Sequence, residues 1–376
     1  MIEEATECRA DVKRNNFYPS LDVALGVESS LYKKEYPQLY YGSSKEGYPL
    51  FISQPGRMNI DAIELLTTKS GLINYHWHDM MHQFGRKLKA SKDKSNGKFV
   101  RYECVCILDL KDLSAAKLGK RQMNIIKSMT FIDSLCFPET LNKMMIINAP
   151  AFFTMTWKIV RGWIDERTAS KIEVIGTDQK RIFKKLSKII DPSDLPADYG
   201  GSGIGIDDFF HSEMLREAED LRGEGNPYRK IDEKSEVIHL RGHSTTTRQF
   251  TLDKNSAVKI SILSKVKGDV FINVVNRSKG EIISEKLHHA IDGETDPDEF
   301  RSTRSDLNRA NDHYIQGPGG FSVEFRANKG KGNIMYILKE FVIDQPKVIE
   351  RPKSQAESII RSGQSLLVGD FELMNI

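Results

Sequence analysis

Apolar and polar residues alternate with two different periods along this chain, and the change of period near residue 206 divides it. From about 49 to 200, short apolar runs with strand character lie at 49–53, 99–108, 144–148 and 171–175. Between them, at about 59–66, 71–90, 116–133, 151–163 and 178–189, apolar positions recur with helical spacing. Strand–helix alternation predicts an α/β fold with a largely parallel sheet. The 144–148 run is apolar throughout, as a strand covered on both faces should be. In the 99–108 run, Val100, Tyr102, Cys104, Cys106 and Leu108 share one face, because strand side chains alternate. That face is apolar apart from weakly polar thiols and suits the floor of a pocket.

Residues 1–36 are polar with modest helical patterning and predict a short helical lobe. At 196–206 the text becomes Pro- and Gly-rich, and an acidic helical stretch and a polar linker carry the chain to about 233. From 234 to 345 short alternating runs predict strands at 236–240, 248–252, 258–263, 269–275, 321–325 and 334–343, an antiparallel sandwich. A polar stretch at roughly 284–316 interrupts it, and 346–376 reads as a partly ordered tail.

Composition narrows the function. The 376 residues carry 55 Lys and Arg against 52 Asp and Glu, a net charge of +3. A general nucleic-acid binder would need a larger basic excess to displace counterions. The cysteines, Cys8, Cys104, Cys106 and Cys136, have neither zinc-ligand nor disulfide-scaffold spacing, which suggests buried structural thiols in a reducing compartment. The acidic start shows no apolar signal region, and no stretch is long and apolar enough to span a bilayer. A cytoplasmic protein that meets membranes peripherally is the expectation.

Several patterns suggest chemistry, each with a simpler alternative. His78 and His82 have the four-residue spacing of helical zinc ligands, but Asp79 follows the first and no third ligand is visible. A packed helix built on Leu72, Trp77, Met80, Met81 and Phe84 accounts for the same stretch, so no metal is expected. Gly201-Ser202-Gly203-Ile204-Gly205 lacks dinucleotide-loop spacing and reads as linker. No nucleophile elbow or P-loop occurs, so neither catalysis nor a cofactor is expected. The basic run from Arg86 to Lys98 reads either as a solvated helix end or as a contact for anionic headgroups.

Seven short motifs then fall in a familiar order: Pro37–Tyr40, Gly47–Phe51, Ile107–Ser114, Phe137-Pro138-Glu139, Ile146–Pro150, Thr168–Lys171 and Leu195–Gly201. Over about 37–201 the chain resembles the CRAL-TRIO lipid-transfer proteins, in the branch typified by phosphatidylinositol-transfer proteins. The region with Gly317–Phe325 and the closing Ile334–Leu338 strand resembles a GOLD domain. The resemblance implies a lipid pocket over the sheet, with Tyr40, Phe51, Tyr102, Cys104 and Cys106 at its floor. It also implies a gate at about Ala151 to Trp163, with Phe152, Phe153, Trp157, Val160 and Trp163 as its apolar residues, Ile159 beside them. Glu139, Thr168 and Lys171 take the positions that contact a phosphoinositol head; the simpler alternative is a surface ion pair between Glu139 and Lys171.

The sequence departs from the family where choline is held. Tyr40 stands, but the second tyrosine position is Phe51, and the Ser and Thr positions are Cys104 and Cys106. The implied function is a non-enzymatic carrier of one phosphatidylinositol-like membrane lipid. The alternatives are a carrier of a small hydrophobic molecule such as tocopherol, a retinoid or an isoprenoid, and a trafficking adaptor that meets a protein partner through the GOLD sandwich.

Overall fold

The computed structural model describes residues 2–10, 20–94, 101–288 and 308–344. Val100, the end of the basic run at 95–98 and the tail from 345 lie outside the described residues. Helices α1 (Ile2–Ala10), α2 (Leu21–Leu25), α3 (Ser29–Glu35), α4 (Ile60–Leu66) and α5 (Lys69–His78) build the amino-terminal side. Three of their starts are set by side-chain caps: Ser20, Asn59 and Thr68 accept from backbone amides of the first turns of α2, α4 and α5. A π-helical turn at Asp79–Gln83 joins α5 to α6 (Phe84–Lys94), so the expected 71–90 helix is broken in phase at its middle.

A five-stranded sheet runs in the order β1 (Gln38–Ser43), β2 (Pro49–Ser53), β3 (Cys104–Asp109), β4 (Leu141–Ile147), β5 (Ile172–Val174). β1 is antiparallel to β2, and the remaining pairs are parallel. The crossovers are α4 to α6 between β2 and β3, α7 (Lys120–Cys136) between β3 and β4, and α8 (Phe153–Arg161) with α9 (Glu166–Ser170) between β4 and β5; after β5 come α10 (Gln179–Leu186) and α11 (Ile206–Asp220). One sheet face is closed: Leu39, Leu50, Ile52, Val105, Ile107, Met145 and Ile147 pack against Ile182, Leu186, Ile190, Leu195 and Ile206. β4 is covered on both sides as expected, since Ile146 joins a second cluster with Phe153, Leu110 and Leu113.

Three sequence expectations change here. Tyr102 precedes β3 and is 71% exposed, so it does not line the floor; the strand starts at Cys104, where backbone pairing with the 140–141 segment begins. The glycine stretch at 201–205 is not a loose linker. A Cβ on Gly201 would lie 1.9 Å from the Leu195 carbonyl oxygen, and one on Gly203 would lie 2.3 Å from the Tyr41 hydroxyl. These glycines let a turn close against its own backbone. Among the cysteines, Cys104 and Cys106 are free, whereas Cys136, at the end of α7, is disulfide-bonded, so the reading of free thiols throughout does not hold.

The second unit is antiparallel: β6 (Tyr228–Gly242), β7 (Thr245–Leu252), β8 (Ser256–Asn276), β9 (Glu281–His288), β10 (Asn308–Gln316) and β11 (Gly319–Ile343). β8 and β11 each merge two expected strands and turn a corner, marked by a register shift between Asn328 and Lys331. Before and after it they pair with different edges, giving the layers β6–β11–β8–β10 and β7–β11–β8–β9. One core fills the space between the layers, from Ile238 and Ile260 on one side to Ile272 and Phe325 on the other. β10 falls in the polar 284–316 stretch, where alternation is weak because it is an edge strand.

The two units share a packed boundary. Leu31, Ala62, Leu65 and Leu66 of α3 and α4 meet Met335 and Ile337 on the outer face of β11. Beside them, Lys339 pairs with Glu28 and lies 4.0 Å from Glu233, and Lys230 pairs with Glu233 at 2.6 Å. Glu35 accepts from Ser235 of β6 at 2.9 Å and from Asn59 at 3.0 Å.

Candidate functional site

The sheet face opposite the closed core is apolar and is covered by α6 and by α8 (Phe153–Arg161). Tyr40, Phe51, Cys106 and Met144 are register partners across β1 to β4, so their side chains share this face. Tyr40 stacks on Phe84 of α6, ring centroids 6.5 Å apart, and sits 5.1 Å from the Phe51 ring. Yet Tyr40, Phe51, Cys104, Leu108, Met144 and Ile172 all keep accessible surface, while their neighbours Leu50, Ile52 and Ile107 on the other face have none. Side chains in the middle of a covered sheet normally close-pack. Here they keep part of their surface on an apolar face that α6 and α8 cover. Burial pushes the Cys104 thiol up to about 12 and Cys106 well above the usual thiol range, which keeps both protonated at neutral pH.

The gate expected at 151–163 is α8, Phe153–Arg161. Phe153 is buried, and Phe152 and Trp157 pack with it against Leu108, Met144, Ile146 and Ile172, over the β3–β5 part of the same face. Val160 and Trp163 are half-buried, and Lys127 of α7 lies 5.9 Å over the Trp163 ring. Met155 and Ile159 point outward, 75% and 57% exposed. An amphipathic helix that packs on this sheet face on one side and offers apolar residues to the exterior on the other has the form of a lid.

Of the three expected headgroup residues, Glu139 and Lys171 pair beyond the end of the gate, whereas Thr168, on α9, bonds to Asp165 instead. The Lys171 ammonium donates to the Leu141 carbonyl at 2.7 Å and to Glu139 at 3.3 Å. Arg167, a residue without a sequence role, pairs with the other Glu139 oxygen at 3.0 Å. The Thr168 amide donates to Asp165, which caps α9; hydrogen bonds from Thr168 hold the Asp165 carboxyl below the usual range. The Glu139–Lys171 ion pair is thus formed, and two cations face one carboxylate.

These geometries sit on a segment with known relatives. A profile of the CRAL/TRIO domain matches residues 33–201.

Residues 33–201 are a CRAL/TRIO domain.

The chain is similar to the Arabidopsis thaliana phosphatidylinositol/phosphatidylcholine transfer protein SFH12, 34% identical over 45% of this chain and 30% of that protein. It is similar to SFH4 of the same plant, 31% identical over 54% of this chain and 31% of that one. The yeast CRAL-TRIO domain-containing protein YKL091C is 27% identical over 57% of this chain and 66% of its own length. The match thus spans less than a third of each of these two plant relatives. A solved structure of Sfh5 superposes at TM-score 0.36 with 15% identity, covering 47% of this chain and 59% of that one.

Two polar features of the CRAL/TRIO domain were not assigned from sequence. At the carboxyl ends of β2, β3 and β4, a polar recess of about 440 Å³ is bordered by Gln54, Asp109, Asn148 and Tyr199. Asp109 accepts from Asn148 at 2.7 Å, from Tyr199 at 3.1 Å and from Gln54 at 3.2 Å, so this buried carboxylate is fully engaged. Asp109 and Asn148 stand inside motifs that signalled the family; their burial at strand ends is what makes them structural.

The second feature lies at the π turn. His78 and His82 have ring centroids 4.7 Å apart, and burial with the neighbouring His82 and Arg86 drives His78 down to about 4. Among the described residues no group of three or more potential ligands forms around them. Asp79 accepts from the Tyr40 hydroxyl at 3.2 Å. Burial pushes its carboxyl up to about 6, against the lowering pull of His76 and of the Tyr40 hydrogen bond. A raised folded value means the ionised side chain costs stability, increasingly so as pH rises from about 4 through about 6. Asp79→Asn is therefore expected to stabilise the protein by about 2 kcal/mol at pH 7 and by nearly nothing below about pH 4. Urea unfolding at the two pH values checks this; an equal gain at both would contradict it.

Proposed function

We propose that the CRAL/TRIO domain encloses one phosphatidylinositol-like membrane lipid and carries or presents it between membranes, without catalysing a reaction on it. The observation behind this reading is an apolar sheet face covered by α6 and α8 on which Tyr40, Phe51, Cys104, Leu108 and Met144 keep accessible surface. The named plant relatives, described as phosphatidylinositol/phosphatidylcholine transfer proteins, favour the same ligand class. Hiding two acyl chains offsets more than roughly 20 kcal/mol of water contact. Exchange therefore needs a lid that opens against a bilayer, and the outward Met155 and Ile159 suit α8 to that step. Arg167 and Lys171 beside Glu139 supply the cationic excess that a phosphate requires, with Glu139 placed to accept from inositol hydroxyls. No described helix is long and apolar enough to cross a membrane.

Mass spectrometry of lipid extracted from the purified full chain tests the reading: about one phospholipid per protein is expected, with phosphatidylinositol enriched. A chain that emerges free of lipid, and takes none from vesicles, overturns it. Trp157→Asp with Trp163→Asp should cut vesicle-to-vesicle transfer about tenfold or more, since each puts a charge on the lid's apolar surface. Unchanged transfer would remove α8 from the mechanism.

A further inference from the structure

Beside β5, the edge strand of the sheet, lies a helix of one-sided charge. α10 reads Gln-Lys-Arg-Ile-Phe-Lys-Lys-Leu and contains no carboxylate. Ile182 and Leu186 anchor it in the closed core, while Lys180, Arg181, Lys184 and the following Lys188 are exposed. Lys180 and Lys184 share one face of α10, where like charges repel, and Lys188 follows in the turn after it. Lys185 is paired with Glu173 at 2.7 Å, and Arg181 feels the same carboxylate at longer range. None of these three lysines is in an ion pair among the described residues. Their repulsion therefore costs stability, and no salt bridge within the described fold offsets it.

Its position gives it a use. The sheet has α10 on its closed face and the lid α8 on the other, and both flank β5, whose Val174 is 39% exposed. Exposed apolar residues (Met155 and Ile159 on the lid, Val174 on β5) and exposed cations (the α10 lysines, with Lys158 and Arg161 on the lid itself) thus belong to elements that flank one sheet edge. The β-sandwich is seated elsewhere, on α3, α4 and α11.

We propose that the cationic face of α10 docks the protein on an anionic bilayer, bringing the β5 edge and the lid to the lipid. The inference rests on the carrier reading and adds the surface chemistry that the carrier selects. Long cations spread along a convex helix match a plane of negative charge better than a single phosphate, which calls for converging donors. Each lysine near such a surface contributes about 1 kcal/mol at low salt.

The test is co-sedimentation of the full chain with vesicles of phosphatidylcholine alone or mixed with phosphatidylserine. The expected result is salt-sensitive binding to the anionic vesicles only. Lys180→Glu with Lys184→Glu and Lys188→Glu should weaken it about a hundredfold or more, with co-purified lipid and melting temperature unchanged. Arg86→Glu with Lys89→Glu on α6 should alter binding less than about twofold, because that basic helix lies away from the β5 edge. Full binding by the α10 variant, equal binding to neutral vesicles, or loss confined to the α6 variant overturns the proposal. Retained lipid in the variants separates that failure from failure of the carrier reading, in which no lipid is found at all.

Discussion

Lys339→Met is expected to lower the unfolding free energy by about 2–3 kcal/mol. Lys339 reaches from β11 into the boundary with the amino-terminal helices, its side chain 9% exposed, between Glu28 and Glu233. Burial alone would push the Glu28 carboxyl up, but Lys339, Lys230 and Lys259 outweigh it and hold Glu28 below the usual range. Methionine fills similar volume and removes the charge, leaving Glu233 paired with Lys230 and Glu28 with the longer-range pull of Lys230 and Lys259. The penalty is that of a carboxylate left one cation short, reduced because the Glu28 side chain is 42% exposed. Glu28→Gln in the Lys339→Met background should recover part of the loss, and a urea double-mutant cycle measures the coupling. The pH arm has a definite sign. Glu28 is depressed in the folded state, so its contribution is present above its unfolded value and disappears as pH falls through the folded one. A loss below about 1 kcal/mol in the single variant would mean the boundary admits water and screens the cluster.

Gly201→Ala is expected to cost about 3 kcal/mol or more, without touching any proposed ligand residue. The new methyl would lie 1.9 Å from the Leu195 carbonyl oxygen and 2.7 Å from the Leu195 Cβ. The obstacle is backbone, so no rotamer change relieves it, and Leu195 is fully buried in the closed core. Thermal unfolding reads the effect, with Ser202→Ala as the neighbouring control. The exposed Ser202 hydroxyl only donates to the Pro192 carbonyl at 3.3 Å, so its loss should cost less than about 1 kcal/mol. Equal melting of the two variants would show that the turn can yield.

Much of the α/β unit was legible because its signals are local. β2, β4 and the helices at 60–66, 120–136 and 179–186 follow the apolar periods to within a few residues. β1 was not, because Tyr40, Tyr41 and Gly42 interrupt the alternation of an antiparallel edge strand. The π turn was invisible for a different reason. One extra residue in a helical turn shifts the phase of His78, Asp79 and His82 without altering composition, and the burial that perturbs Asp79 comes from strands far away in sequence. In the sandwich, alternation located the inner halves of β8 and β11 but could not show that each is one strand passing through both layers. Motif order pointed to Glu139, Thr168 and Lys171, of which the fold pairs Glu139 with Lys171; Arg167 was missed because only the fold brings it to Glu139.

β8 and β11 bind the sandwich in a way that short strands would not. Because both run unbroken from one layer into the other, paired along nearly their whole length, neither layer can melt while the other keeps its hydrogen bonds. Amide protons of Ile260 and Ile272, on opposite sides of the corner, should therefore exchange with deuterium at a common rate, the mark of a single cooperative unit.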